Sequence, residues 1–341
     1  MIRKLNKFEL KKNQKGVVEF GWIFSIIVGA IILFFAFYFV GTQLMQKENM
    51  NQIVSSQALD VLYTPFSYVG SVAEASASVA KIDKTSTLTV ECSGITGSDP
   101  LGYNEVSTYS FYKGEKNIGI SRRAYDKYVF AEDGTEKYFF VMSKPLNMPW
   151  RIADLVYTFP NNQSYCFIGS PTNIRNELQG LENASQTKHF FFDTENIDSE
   201  IKSKCINVCF GTTPGCDIVV NSLKQSNYVL GYTVKNNKKM YYYGNTLLYA
   251  TLFSSPELYE CNLKRLASRA SIQRDLYIEK DRVLKQKQCY SLFSLGPLGS
   301  SFDNLKKTGL TDREKEDIFA GIKTNSELLN NQNRGADCAL Y

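Results

Sequence analysis

The sequence predicts an α+β chain: an N-terminal transmembrane helix with a stalk helix, then a β-rich segment and an α/β layer with a long C-terminal helix. Three observations lead there. Residues 20–40 form one uncharged apolar run. Residues 85–149 hold short alternating stretches with turn signals. Beyond residue 150 short apolar stretches alternate with helical patterns, as in a parallel sheet with crossover helices.

The apolar run opens Phe20-Gly-Trp-Ile-Phe and closes Phe37-Tyr-Phe-Val40. At about 1.5 Å per residue it makes a helix of about 31 Å, the thickness of a hydrocarbon core. A soluble core helix of this length would carry a polar face. In residues 1–16 Arg3, Lys4, Lys7, Lys11, Lys12 and Lys15 stand against the single acid Glu9, and only Lys47 and Glu48 follow the run before Asp60. The positive-inside rule then places the N-terminus in the cytoplasm and the C-terminal domain outside the cell, anchored in the cell membrane by a single pass. A cleaved signal would need a small-x-small site after the run, and Gly41-Thr-Gln-Leu-Met45 supplies none.

Six of the 39 basic residues and one of the 34 acidic ones lie in residues 1–16, so the rest carries 33 of each. The net charge of +5 therefore belongs to a basic cytoplasmic leader, residues 1–16, which suits membrane lipid rather than nucleic acid. All eight cysteines follow the span: Cys92, Cys166, Cys205, Cys209, Cys216, Cys261, Cys289 and Cys338. An even number in that position implies disulfides in an oxidising compartment, with 105 conceivable pairings. The sequons at Asn162 and Asn183 agree with an outside location.

Residues 8–24 read Phe-Glu-Leu-Lys-Lys-Asn-Gln-Lys-Gly-Val-Val-Glu-Phe-Gly-Trp-Ile-Phe. A basic leader, a glycine and a glutamate at the mouth of an apolar helix resemble the N-terminus of type IV pilin-like proteins. The likeness is to the archaeal class with a glutamine near the processing site and to TadE-type pseudopilins with a Val-Glu-Phe motif. It covers about 30 residues. It implies processing beside Gln14 or Gly16, and pairing of Glu19 with the new N-terminus of a neighbouring subunit. Cleavage after Gln14 puts Glu19 at the family's position five; cleavage after Gly16 puts it at position three, which departs from the pattern. Ser25 and Gly29 share a helical face and permit close helix approach. The implied partners are the chain itself or other pilin-like subunits. Beyond the anchor, the chain resembles uncharacterised archaeal single-pass membrane proteins, which implies no activity.

After the span, residues 17–41, comes a stalk helix over 42–84, broken or kinked at Pro65, with Ser71–Val79 as a second helical piece or a collar. In the β-rich segment, 85–149, Ser86–Cys92 is a half-buried strand. Asp133-Gly134 predicts a hairpin between strands at Tyr128–Phe130 and Lys137–Val141. In the α/β segment, 150–290, Trp150–Tyr157 reads as a short helix. Strands follow at Ser164–Gly169, Lys188–Phe192, Ile206–Phe210 and Ile218–Val220. Ser170-Pro171 opens a helix to Leu181, and Ile197–Lys204 is another. Asn236-Asn237 closes a hairpin of Tyr228–Val234 with Lys239–Tyr243. Thr246–Lys287 is helical, interrupted where Ser255-Pro256-Glu257 starts a long helix. Its seams, Leu263-Ala270-Tyr277-Leu284 and Leu252-Tyr259-Leu266, favour packing on its own sheet. Cys261 and Cys289 stand at its two ends, where a disulfide would staple it. Residues 291–341 form a polar C-terminal tail with one helix opened by Thr311-Asp312 and an end that Cys338 ties down.

The chemistry is sparse. The single histidine, His189, reads as structural. Cys205, Cys209 and Cys216 lack the paired spacing of a zinc site, which leaves disulfides. Arg265, Arg269 and Arg274 make a solvated basic stripe. No GxSxG, HExxH or P-loop pattern occurs. No cofactor is implied. Asp193 and Glu195 follow a predicted strand, where α/β sites sit, and are the weak alternative for a cation. The sequence therefore implies an anchored extracellular structural or surface-assembly protein, with a tethered ligand-binding domain or enzyme near Asp193 and Glu195 as the alternative.

Overall fold

The computed structural model describes residues 23–40, 76–96, 99–112, 115–185, 187–193, 203–211, 214–224, 227–289 and 293–341. The chain divides into two units, Met1–Val54 and Ser55–Tyr341. In the first, helix α1 (Ile23–Val40) is long and apolar enough to cross a membrane or to be a signal sequence, and none of it is buried. Ser25 and Gly29 both lie on it, and a Cβ added at Gly29 would meet nothing within 4 Å. Gln14, Gly16, Glu19 and residues 42–75 of the expected stalk lie outside the described residues.

The second unit is α+β with two six-stranded sheets. The first has the order β3-β2-β1-β5-β6-β4, built from β1 (Ser76–Ser93), β2 (Tyr103–Tyr112), β3 (Glu115–Ala124), β4 (Tyr128–Ala131), β5 (Gly134–Asn147) and β6 (Arg151–Pro160). Two expectations change here. Residues 76–84, assigned to the stalk helix, begin β1. Ala80 and Ile82 point inward on either side of exposed Lys81, the period of a strand. Trp150–Tyr157, read as a helix, enters β6, which lies between β5 and β4 and is buried along nearly its whole length. A strand buried on both faces loses its alternation, and such a run resembles a buried helix.

The Asp133-Gly134 hairpin does not form either. β4 pairs in parallel with β6, and β5 pairs with β6 from the other side. The chain crosses the end of β6, where Pro160 has no N–H to offer another strand. Gly134 permits the crossing, since a Cβ there would stand 2.0 Å from Pro160 Cγ.

The second sheet has the order β12-β11-β10-β9-β7-β8, from β7 (Tyr165–Ile168), β8 (Phe190–Phe192), β9 (Ile206–Phe210), β10 (Ile218–Ser222), β11 (Leu230–Lys235) and β12 (Lys238–Tyr243). β8, β7, β9 and β10 are mutually parallel, as the sequence predicts. Helix α2 (Thr172–Ser185) links β7 to β8. It starts one residue later than expected: the Pro171 carbonyl accepts the first helical bonds and Ser170 makes no cap. Asn236 and Asn237 both have positive φ, +51° and +58°, and turn β11 into β12. That backbone is the one a two-residue hairpin requires, and asparagine tolerates it.

Helix α3 (Gly244–Leu252) is buried from Thr246 to Leu252. Ser255 caps α4 (Pro256–Gln286), its side chain accepting from Leu258 N–H. Two i,i+4 ion pairs lie along it, Glu260 with Lys264 at 4.0 Å and Asp281 with Lys285 at 2.6 Å. α4 packs on both sheets, through β1, β4 and β6 of the first and β12 of the second. Leu258 joins a cluster with Ala80 and Val129, while Tyr259, Leu263, Leu266 and Ala270 join the main aromatic core. The C-terminal segment is not a polar tail. It forms α5 (Gly296–Leu305) and α6 (Asp312–Arg334), and buries Phe302, Leu305, Phe319, Ile322, Leu329 and Leu340 in that core. Thr311 and Glu314 close a capping box at the start of α6.

Four disulfides join Cys92–Cys261, Cys166–Cys205, Cys209–Cys216 and Cys289–Cys338. The last ties down the chain end as expected. The staple between the ends of α4 does not form, because Cys261, in the first turns of α4, faces β1 and meets Cys92 there.

Candidate functional site

The strands β8-β7-β9-β10 run in the sequence order two-one-three-four, so the chain reverses direction across the sheet beside β7. Ligands in open α/β sheets favour that point, beyond the carboxyl ends of the strands. Asp193 lies there, directly after β8. Both of its carboxylate oxygens accept from Gly169 N–H, at 3.0 and 2.8 Å, and Arg175 approaches at 3.8 Å. The side chain thus holds the turn from β7 into α2. Glu195 lies outside the described residues. Among the described residues no three His, Cys, Asp or Glu side chains are grouped to hold a metal ion. Cys205, Cys209 and Cys216 are all in disulfides, which removes the thiolates that zinc would need.

His189 precedes β8 and is buried against Phe140, Phe159 and Phe190. Its Nδ1 meets the Gln163 carbonyl at 3.2 Å. Its backbone N–H and that of Phe190 both donate to the buried Glu182 carboxylate. Burial holds the ring pKa below its ordinary 6.5, with the Gln163 hydrogen bond opposing. The unfolded chain then binds the proton more readily than the folded one. This contribution to stability is complete above about pH 6.5 and is lost as pH falls through the lower folded-state value. Because the chain has one histidine, NMR of its ring carbons should read a single titration with a midpoint below 6.5. A midpoint at or above 6.5 would contradict the buried neutral ring.

The arginine stripe turns inward rather than to solvent. Arg265 is fully buried, Arg269 Nε donates to the Ile152 carbonyl at 2.8 Å, and Arg274 pairs with Asp275 and Asp303. Two polar clusters join layers. Glu132, where the chain leaves β4, binds Lys235 of β11, whose ammonium also donates to the carbonyls of Leu252 and Ser254 at 2.9 Å. Glu177 of α2 binds Lys144 of β5 and accepts from Asn245 and Tyr249 at 3.0 Å each. Burial lowers the Lys144 ammonium to about 8. With both carboxylate oxygens of Glu177 occupied, the cluster is a clamp between β5, α2 and α3. Asn162, in the turn after β6, and Asn183, late in α2, are exposed and accessible to modification.

A concavity lies elsewhere, where the β11–β12 hairpin, the start of α4 and the α5–α6 connection meet. It is an open cleft whose empty volume of about 590 Å³ includes open solvent. Tyr241, Tyr259, Leu263, Leu305, Leu310 and Phe319 make its apolar walls. Lys238, Lys239, Lys264, Lys307 and Lys315 rim it, with Glu257 and Glu260. Lys238 pairs with Glu257, and Lys239 reaches Asp312 at 3.0 Å. Those contacts raise the Lys239 pKa and lower that of Glu257, so both stay ionised near neutral pH. Sequence reasoning missed this site because its residues come from three separated segments, none with a motif of its own.

No protein-family model matches the chain, and no curated protein or solved structure matches it.

Proposed function

We propose that this chain is a membrane-anchored protein with its N-terminus in the cytoplasm and a disulfide-stapled domain outside the cell, acting as a structural or surface-assembly component. One observation carries the reading. An apolar helix that buries nothing of itself precedes a separate unit in which all eight cysteines are paired. Such pairing belongs to oxidising compartments, and the lysine-rich leader favours the opposite side. The alternative of a ligand or catalytic site at Asp193 and Glu195 is weaker, because Asp193 already spends both oxygens on the Gly169 N–H.

Assembly would work through the anchor. A carboxylate at the edge of a hydrocarbon span is costly unless it reaches the headgroups or finds a partner. If processing beside Gln14 or Gly16 exposes a new α-amine, pairing it with a neighbour's Glu19 offsets that cost and sets the stagger between subunits. Ser25 and Gly29 then let the helices approach. Glu19→Gln should leave insertion and folding intact while abolishing sedimentable assemblies in membrane extracts. Protease added to intact cells should remove the C-terminal domain and spare a tag on Met1. Loss of that tag without lysis would reverse the topology. An untrimmed Met1 together with identical sedimentation of wild type and mutant would remove the pilin-like part and leave a simple tether.

A further inference from the structure

Two carboxylates in the domain each bridge a lysine and a side-chain amide. Glu132 accepts from Lys235 and, at 2.9 Å, from Gln163 Nε2. Glu177 accepts from Lys144 on one oxygen and, at 3.0 Å, from Asn245 Nδ2 on the other. The clusters differ in what the ammonium does with its protons. Lys235 Nζ donates to Glu132 and to the carbonyls of Leu252 and Ser254, which uses all three. Among the described residues Lys144 Nζ donates to Glu177 alone, and it lies 5.3 Å from the centre of the Tyr249 ring. Three acceptors hold Lys235 as an ammonium. A single acceptor leaves Lys144 able to hand a proton to Glu177 and become a neutral amine. Burial favours that form and lowers the Lys144 pKa to about 8. Burial lowers Lys235 as well, but Glu132 opposes the shift. The backbone beside Lys144 is fastened to that beside Asn245, since Thr246 Oγ1 donates to the Pro145 carbonyl at 3.1 Å.

We propose that Lys144 and Asn245 join through an intramolecular amide bond, with Glu177 as the proton carrier. Glu177 takes one proton from the Lys144 ammonium. The neutral Nζ attacks Asn245 Cγ, and the Nζ–Cγ bond forms as the Cγ–Nδ2 bond breaks. A second Nζ proton moves to Nδ2, which leaves as ammonia. The proton on Glu177 leaves with it as ammonium, so the carboxylate returns to its starting state and nothing is oxidised or reduced. A desolvated lysine is the form in which an amine acts as a nucleophile, and the Lys144 and Glu177 side chains are only 20% and 22% exposed. Holding amine, carboxylate and amide together replaces the encounter that makes such a reaction slow in solution. The bond would fasten β5 of the first sheet to α3 and close a loop that contains every strand of the second sheet. Unlike the four disulfides, it survives a reductant. The inference does not depend on which side of the membrane the domain occupies.

The test is a peptide map of the full-length protein, purified in detergent, reduced, digested and read by mass spectrometry. It should contain a branched peptide that joins Lys144 to Asn245 and is lighter than its two parts by one ammonia. Lys235 and Gln163 should be found unlinked. On a reducing gel the wild-type protein should run ahead of Asn245→Ala, whose chain is open once the disulfides are reduced. Glu177→Gln should lower the linked fraction at least about tenfold. Unmodified Lys144 and Asn245 in wild-type protein that unfolds cooperatively on heating would overturn the proposal and leave the cluster a purely ionic clamp. That map is decisive even where Glu177→Gln does not fold. A link that persists at the wild-type level in folded Glu177→Gln, or one that joins Lys235 to Gln163 instead, would also overturn it.

Discussion

Cys92→Ser combined with Cys261→Ser is expected to cost about 4–5 kcal/mol of stability, the largest loss from any single bridge. The two cysteines are 169 residues apart in sequence, and the bond fastens β1 of the first sheet to the start of α4. Cross-linking so distant a pair removes more freedom from the unfolded chain than a short loop does. The Cys209–Cys216 bridge spans a separation of 7, and its removal is expected to cost about 2 kcal/mol on the same basis. Urea titration of the two double variants in detergent, followed by tryptophan fluorescence, ranks them. Equal losses, or a larger loss for Cys209–Cys216, would contradict this account of what the long bridge does.

Arg265→Ala is expected to cost about 3–5 kcal/mol, the range for breaking a fully buried charged network. The guanidinium has no exposure to solvent, and the one carboxylate that acts on it, Asp99, forms no direct ion pair with it. Oxygens on several sides hold it instead: the carbonyls of Leu101 at 2.9 Å, Gly102 at 3.1 Å and Tyr125 at 3.2 Å, and the side-chain oxygens of Asn104 at 2.6 Å and Asn262 at 2.8 Å. It also lies over the Tyr128 ring at 4.7 Å. Alanine would leave those oxygens buried without a donor, each a cost of about 1–3 kcal/mol before relaxation. Lys keeps the charge but replaces a planar fork of five donors by a single point, so Arg265→Lys should recover less than about half of the loss. Thermal unfolding of both variants checks this. A loss below about 1 kcal/mol for Arg265→Ala would mean that the loops before β2 and β4 hold their shape without the arginine.

These two interactions also mark where sequence reading stops. The parallel strands of the second sheet, the Asn236-Asn237 turn and the Ser255 cap are legible because each signal lies within a few residues of its effect. Arg265 reads as part of a solvated stripe because its cage, Asn262 apart, comes from residues about 140–165 positions away in the chain. Cys261 has seven conceivable partners in the sequence, and only the packing of α4 on β1 selects Cys92. The first half of β1 and β6 as far as Tyr157 read as helix because Ala- and Ser-rich or fully apolar runs lack the alternation that identifies a half-buried strand. Tertiary pairing decided both. α5 escaped notice because Gly296, Pro297 and Gly299 look like a turn, yet Leu298 and Phe302 bury against the core from a helix. The lysine cleft has no sequence signature, since it exists only once the β11–β12 hairpin, α4 and the α5–α6 connection meet.

The central claim is a disulfide-stapled domain held outside the membrane by its N-terminal helix. Its most direct test is alkylation of the protein in its native membrane, without reduction, followed by mass spectrometry. The account predicts that none of the eight cysteines reacts until a reductant is added, and that linked peptides join Cys92 to Cys261 and Cys289 to Cys338. Eight free, alkylated thiols in protein taken directly from the native membrane would place the domain in a reducing compartment and contradict the account.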